Sequence, residues 1–299
     1  MIALNALVKR NTKLFFKDKG MFFTSLITPI ILLVLYMTFL AKVYHDSFLS
    51  VMPKGFDVSD TLLDAMVGGQ LFSSLLAVSC VTVAFCSNML MVQDKVTGAR
   101  NDLTITPVKP SKLGLSYYIS TAITTLLISF VATGACFLYL ANVGWYLSAP
   151  DIVFIFLDIF LLVMFGTALS SIINFFLSSQ GQISAVGTNI SAGYGFICGA
   201  YMPISQFSDG LQKVISFLPG TYGTSLLRNH SLQGVFAEME TQGFPTEVIK
   251  AIKDSIDCNI YFFGDKVELM TMYFIIGGST AVLMGIYLLM NILLKRKAK

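Results

Sequence analysis

Charge is what this sequence lacks most. Only 12% of its 299 residues are Asp, Glu, Lys or Arg, about half the share of a soluble domain. Hydrophobic residues make up 55%, and the mean hydropathy is +0.73. That balance excludes a soluble globular domain and leaves an integral membrane protein. Catalytic and metal-binding patterns are equally scarce. The two histidines, His45 and His230, belong to no His-Glu-x-x-His run and to no cluster of catalytic residues, so a membrane-embedded hydrolase has no footing. No Gly-x-x-x-x-Gly-Lys-Ser/Thr run occurs, so the chain has no phosphate-cradling loop for ATP. It is not expected to be an enzyme or to carry a cofactor or metal. Cys80, Cys86, Cys136 and Cys198 fall in apolar stretches and only Cys258 lies outside them, so disulfides and thiolate metal sites are not expected. Internal repeats are absent too, which removes the inverted-repeat logic of many secondary transporters.

What is present is a set of long apolar runs. Six of them, at about 21–41, 69–92, 114–142, 150–177, 182–204 and 267–294, reach the roughly 20 residues that a bilayer-crossing helix requires. Strand-like alternation is missing, so helices must satisfy the backbone in lipid. The predicted fold is an all-α integral membrane protein of six transmembrane helices. The run from Met21 is too long for a signal-peptide core and is expected to stay as an anchor. Ahead of it, Leu4, Leu7, Val8, Leu14 and Phe15 recur at helical spacing opposite Lys9, Arg10, Lys13 and Lys17. That pattern predicts an amphipathic elbow helix over 1–20 lying on the inner leaflet, with the polar break Lys17-Asp18-Lys19-Gly20 separating it from the permease domain at 21–299.

Basic residues set the orientation. Lys9, Arg10, Lys13, Lys17, Lys19, Lys95, Arg100, Lys109, Lys112, Lys295, Arg296, Lys297 and Lys299 share one side with only Asp18, Asp94 and Asp102. By the positive-inside bias both termini are cytoplasmic, in a plasma membrane. The basic face is read as topology and attraction to membrane lipids rather than as nucleic-acid binding. The first outer loop, about 42–68 with Pro53 and Gly55, only connects. The outer segment at about 205–266 is expected to form short capping helices, from Phe207, Leu211, Val214, Ile215 and Leu218 before Pro219 and again over 247–257.

The loop at about 93–112 is the most telling feature. A short helix with charged flanks, ended by Pro107 and Pro110 and held against the membrane between two spans, can move a bundle of helices when a soluble partner pushes on it. In the fifth run Gly187, Ser191, Gly195 and Gly199 recur every four residues, a face without bulk on which another helix can pack closely. A subunit interface is the favoured reading. Asn189, Tyr194 and Tyr201 lie on other faces as candidate cavity residues; an interhelical hydrogen bond is the equal alternative for Asn189. Asp158, the one acid well inside a predicted span, is a functional candidate by type, yet lies only about 12 Å along its helix from the start and could be interfacial. Asn229-His230-Ser231 matches a glycosylation acceptor and is read as chance in a bacterial context.

Gly98, Leu103, Thr106 and Pro107 after the second span, with Gly199, Pro203, Leu211, Leu218, Pro219, Tyr222 and Arg228 after the fifth, resemble the membrane subunit of an ABC transporter of the type-2 export permease family over nearly the whole chain. In that family a phrase Gly-Thr-x-Glu-x-Leu-x-x-Thr-Pro forms the coupling helix that docks on the ATP-binding subunit. Here Ala99 replaces Thr and Asn101 replaces Glu, with Asp102 the neighbouring charge. The resemblance implies coupling through Asp94, Lys95, Gly98, Arg100, Asp102, Leu103, Thr106 and Pro107, with Leu103 the apolar knob. It further implies a separate P-loop ATP-binding partner carrying ATP and Mg, and a second permease subunit, identical or not. The cargo is expected to be a drug-like amphiphile, lipid or peptide, with lipid-linked polysaccharide the alternative inside the family. An ion-coupled secondary transporter or channel is the rival; it normally needs more intramembrane charge than Asp158.

Overall fold

The structure, a computed structural model, describes residues 2–51 and 58–297. Pro53, Gly55 and Lys299 lie outside them. Helix α1 (Ile2–Lys17) buries Leu7, Asn11 and Phe15, one stripe of residues four apart, and packs on α7 and α2. Asp18 ends it: its extended backbone (φ −77°, ψ 94°) breaks the helix, and its carboxylate accepts the Met21 N–H at 3.1 Å to start α2 (Lys19–Leu35). A π-helical turn at Tyr36–Leu40 joins α2 to α3 (Ala41–Val51). Such turns interrupt regular helices at special contacts; here the buried Tyr36 hydroxyl donates to the Ala200 carbonyl at 3.2 Å.

The bundle is built around α4 (Asp60–Asn88), which Ser59 caps and which is buried almost from end to end. A helix apolar on every face has to be surrounded. It is enclosed by α2, α7 (Pro110–Val143), α8 (Ala149–Phe176), α9 (Gln180–Ile197) and α11 (Pro219–Thr241). Between α4 and α7 lie the short α5 (Leu90–Val96) and α6 (Ala99–Ile105). Reciprocal capping boxes, Ser148 with Asp151 and Ser179 with Gln182, begin α8 and α9. The last helix, α13 (Leu269–Lys297), packs on α7, α8 and α11. All five cysteines are free and buried.

The six expected spans and the outer capping helices are not matched one for one. Among the described residues five helices, not six, are long and apolar enough to cross a membrane: Lys19–Asp46, Asp60–Val96, Pro110–Val143, Ala149–Phe176 and Leu269–Leu293. The chain is a multi-pass membrane protein, but its expected fifth span is the shorter α9, which stops at Ile197. Gln180, Gln182, Ser184, Thr188, Asn189 and Ser191 dilute its apolar character. Gly199, at φ 72°, then turns the chain in a conformation glycine adopts without strain. The Ala200 and Tyr201 N–H groups both return to the Gly195 carbonyl, at 2.9 and 3.0 Å.

The segment after α9 is also more than a cap. The short helices α10 (Asp209–Ile215) and α12 (Thr246–Ser255) flank the 23-residue α11, which runs buried against α4, α8 and α13. Its polar and small residues, such as Thr221, Gly223, Thr224, Ser225 and His230, conceal it from an apolar-run reading; they face packed neighbours rather than water. A two-residue-loop hairpin of β1 (Tyr261–Phe262) and β2 (Asp265–Lys266) precedes α13.

Candidate coupling segment, cavity and buried polar clusters

Gly98, at φ 82°, turns the chain between α5 and α6, again where a side chain would be strained. Beyond it α6 buries no residue. Asn101, Asp102, Thr104, Thr106 and Pro107 are exposed and Arg100 is half-buried; the Thr106 hydroxyl donates to the Leu103 carbonyl at 2.6 Å and closes the helix. Leu103, expected as the projecting knob, instead packs on the cluster of Leu7, Leu113 and Tyr117. The apolar residue that does project is Ile105, 84% exposed. Helical spacing decides this: Leu103 and Ile105 are two positions apart and must point to different faces.

Asp94 and Lys95, expected in the coupling contact, are both engaged within the chain. Asp94 is buried, accepting a bidentate pair from Arg10 at 2.7 and 3.0 Å and the Tyr117 hydroxyl at 2.5 Å. The hydrogen bond to Asp94 raises the Arg10 pKa above its ordinary value, burial opposing it only partly. Asn11 accepts from Arg10 at 2.9 Å and donates to Ser116 at 3.4 Å. The Lys95 ammonium donates to the carbonyls of Asn174, Phe175 and Leu177 at 3.1, 2.6 and 2.9 Å, the unpaired and negatively polarised end of α8. The root of the exposed α6 is thus fastened to α1 and α7 on one side and to α8 on the other. Sequence reading treated Arg10 as a topology charge. The available signal was Asn11, a polar residue inside the Leu7–Phe15 buried stripe, which has to find a partner.

A cavity of about 990 Å³ lies between α2 and α9, with Cys86, Met89 and Gln93 at one end. Its wall is mixed, with the polar Thr24, Gln93, Ser184 and Thr188 among the apolar Ile27, Ile31, Leu35 and Phe196. Of the expected cavity residues Tyr201 lines it. Asn189 lies on an exposed face of α9. Tyr194 is buried in the core, so close to Gly220 that a Cβ there would strike its hydroxyl. The small-residue stripe is divided: Gly187 and Ser191 line the cavity, Gly187 facing Met89. Gly195 is covered by the Tyr201 ring and Gly199 forms the turn. Its upper half therefore packs within the chain rather than standing bare for a second subunit, because α9 ends early and folds back on itself.

Two buried polar clusters were not legible. Arg228, on α11, donates to the carbonyls of Gly199 (2.6 Å) and Ile256 (2.8 Å), to Ser74 (3.1 Å) and to Asp257 (3.2 Å), joining α4, α11 and the chain after α9 and α12. Asp158, fully buried on α8, meets the His230 Nδ1 at 2.6 Å and accepts the Tyr273 hydroxyl at 2.7 Å. His230 also stacks on Phe154, ring centroids 4.9 Å apart. Among the described residues no group of three or more His, Cys, Asp or Glu side chains is placed to hold a metal ion. A family model described as ABC-2 type transporter matches residues 2–230. Comparison with curated proteins gives no match.

Proposed function

This chain belongs to the ABC-2 type transporter family, and we propose that it is the permease subunit of an ATP-driven exporter, driven by a separate P-loop ATP-binding subunit and paired with a second permease subunit. The observation that carries this reading is the contrast at α6: a helix that buries nothing rises from a base locked by Arg10–Asp94 and Lys95. A push on such a helix is delivered to α1, α7 and α8 rather than absorbed by a loose loop. The docking face is Asn101, Asp102, Thr104 and Ile105; Asp94 and Lys95 act behind it as positioning residues. ATP and Mg reside on the partner. The mixed polar and apolar cavity between α2 and α9 suits an amphiphilic cargo, drug-like, lipid or peptide, and the exposed Asn189 supplies a polar group for the second permease subunit. Both termini face the cytoplasm of a bacterial plasma membrane, as the basic residues favour.

The test is co-purification with a candidate P-loop ATPase from detergent. The complex is expected to hydrolyse ATP and the chain alone to hydrolyse none; ATP turnover by the isolated chain, or failure to retain any ATPase, would overturn the reading. An ion-coupled transporter is the second reading, favoured by the buried Asp158–His230–Tyr273 cluster. Transport that persists in proteoliposomes with the proton gradient collapsed and ATP supplied excludes it.

A further inference from the structure

The segment between α9 and α13 carries an apolar face that water would not favour. On α10 and the turn after it, Leu211, Val214, Phe217 and Leu218 are 43%, 59%, 63% and 36% exposed, while Ile215 points inward. Beside them stands the β1–β2 hairpin, whose Tyr261, Phe262 and Phe263 are 40%, 36% and 62% exposed. The Phe217 ring lies 5.2 Å from Phe262 and 5.9 Å from Phe263, and the latter two are 4.9 Å apart. These three rings form one outward-facing aromatic cluster.

The hairpin tip makes the cluster harder to explain as a soluble surface. Phe263 and Gly264, its two central residues, have φ 52° and 101°, the type I′ turn that Asn-Gly or Asp-Gly normally fills. A bulky side chain in the left-handed region is strained. A turn facing water gains nothing from an aromatic ring held there. Placed in an apolar phase, the ring gains its transfer free energy. The phase is adjacent: the Val267 N–H closes the hairpin onto the Ile260 carbonyl at 2.8 Å, and Leu269 then begins α13, a helix apolar enough to span a membrane. In its first turns Leu269, Met270 and Phe274 are exposed, the last two at 72% and 79%. The aromatic cluster continues the lipid-facing surface of α13 at the end where aromatic side chains favour the membrane interface.

We propose that Phe217, Phe262 and Phe263 form an interfacial anchor that seats in phospholipid at the boundary between headgroups and acyl chains beside α13. The anchor fixes the depth of α10 and the hairpin, and through them the chain leading into α13. It requires α13 in a bilayer and nothing of the ATP-coupled reading, so lipid contact and ATP-driven transport stand or fall separately.

Trp145 is the only tryptophan, which allows a direct test. The full chain carrying Trp145→Phe with Phe263→Trp, and separately with Phe217→Trp, is reconstituted in phosphatidylcholine–phosphatidylglycerol vesicles. Emission is then measured with lipids brominated high or low on the acyl chain and with aqueous iodide. The expected result is blue-shifted emission that loses most of its intensity to the shallow bromines, less to the deep ones and little to iodide. Quenching by iodide without an effect of brominated lipid would show a ring in water and overturn the anchor. Protection from every quencher would show burial against another protein surface, including a second copy, and would overturn it equally. The Phe217 variant reports on the same cluster from α10 if the hairpin variant does not fold.

Discussion

Asp94 sits buried at the root of a helix that presents an exposed face, whereas Arg228, at 0% exposure, is enclosed by the elements it joins. Around Asp94 the chain spends its polar contacts on holding the base of α6 and leaves the helix free to meet something else. Around Arg228 every partner is another part of the same chain, two of them backbone carbonyls at the ends of helices. The difference separates a lever from a joint. A lever needs one exposed arm on a fixed base, and a joint needs its charge enclosed and paired in place. The substitutions below test that distinction, beginning with the largest effect.

Arg228→Met strands the Asp257 carboxylate and two carbonyls in a dry site. Removing one partner of a buried ion pair costs about 3–5 kcal/mol, so thermal unfolding in detergent should fall steeply, and replacing Asp257 (φ 56°) with Asn in the same chain, which tolerates that backbone and still accepts the Ile204 N–H, should recover part of the loss. Unchanged melting of the single variant would show that Arg228 joins nothing. Gly195→Leu should come next, at roughly 1–3 kcal/mol for overpacking, because the new side chain meets the Tyr201 ring. Tyr201→Ala should relieve it. If sedimentation instead shows loss of a dimer with monomer stability intact, the upper stripe belongs to a subunit interface after all.

At the lever, Asp94→Asn removes a charge-assisted pair whose arginine is partly exposed, side chain 30% accessible. A loss of about 1–2 kcal/mol is expected, read best as faster hydrogen exchange along α1 than along α11. Equal exchange in both helices would mean that the Arg10–Asp94 contact does not hold α1 in place. The smallest effect on stability belongs to Ile105→Asp: within about 0.5 kcal/mol, as for other exposed positions, yet with the ATP-binding partner lost on co-purification. Leu103→Ala should do the reverse, lowering stability while keeping the partner. Should Ile105→Asp still retain the ATPase and transport normally, α6 is not the docking arm.

Much of this molecule was readable before any coordinates. The α6 phrase showed itself because local chemistry makes it: Gly98 for the turn, Pro107 and Pro110 for the stop, charges on either flank. The first four spans and the last announced themselves by length and apolarity alone. Leu103 and Ile105 could not be told apart in role, since which side of a seven-residue helix faces the bundle depends on α1 and α7 arriving beside it. Asp94 looked like a surface charge for the same reason; its partner Arg10 is 84 residues away.

Composition by itself determined that the chain is helical and lives in a membrane, because a bilayer punishes every unpaired backbone group and every stray charge. The placement of the few charges was decided only by tertiary structure. Arg228, Asp158 and His230 read as isolated polar residues in sequence, and the stretch that forms α11 read only as part of an outer segment. In the folded chain those residues meet partners from α4, α8, α13 and the turn after α12, and α11 is drawn inside the bundle with them. Pairing a buried charge is a long-range event, and no local pattern records which distant group will complete it.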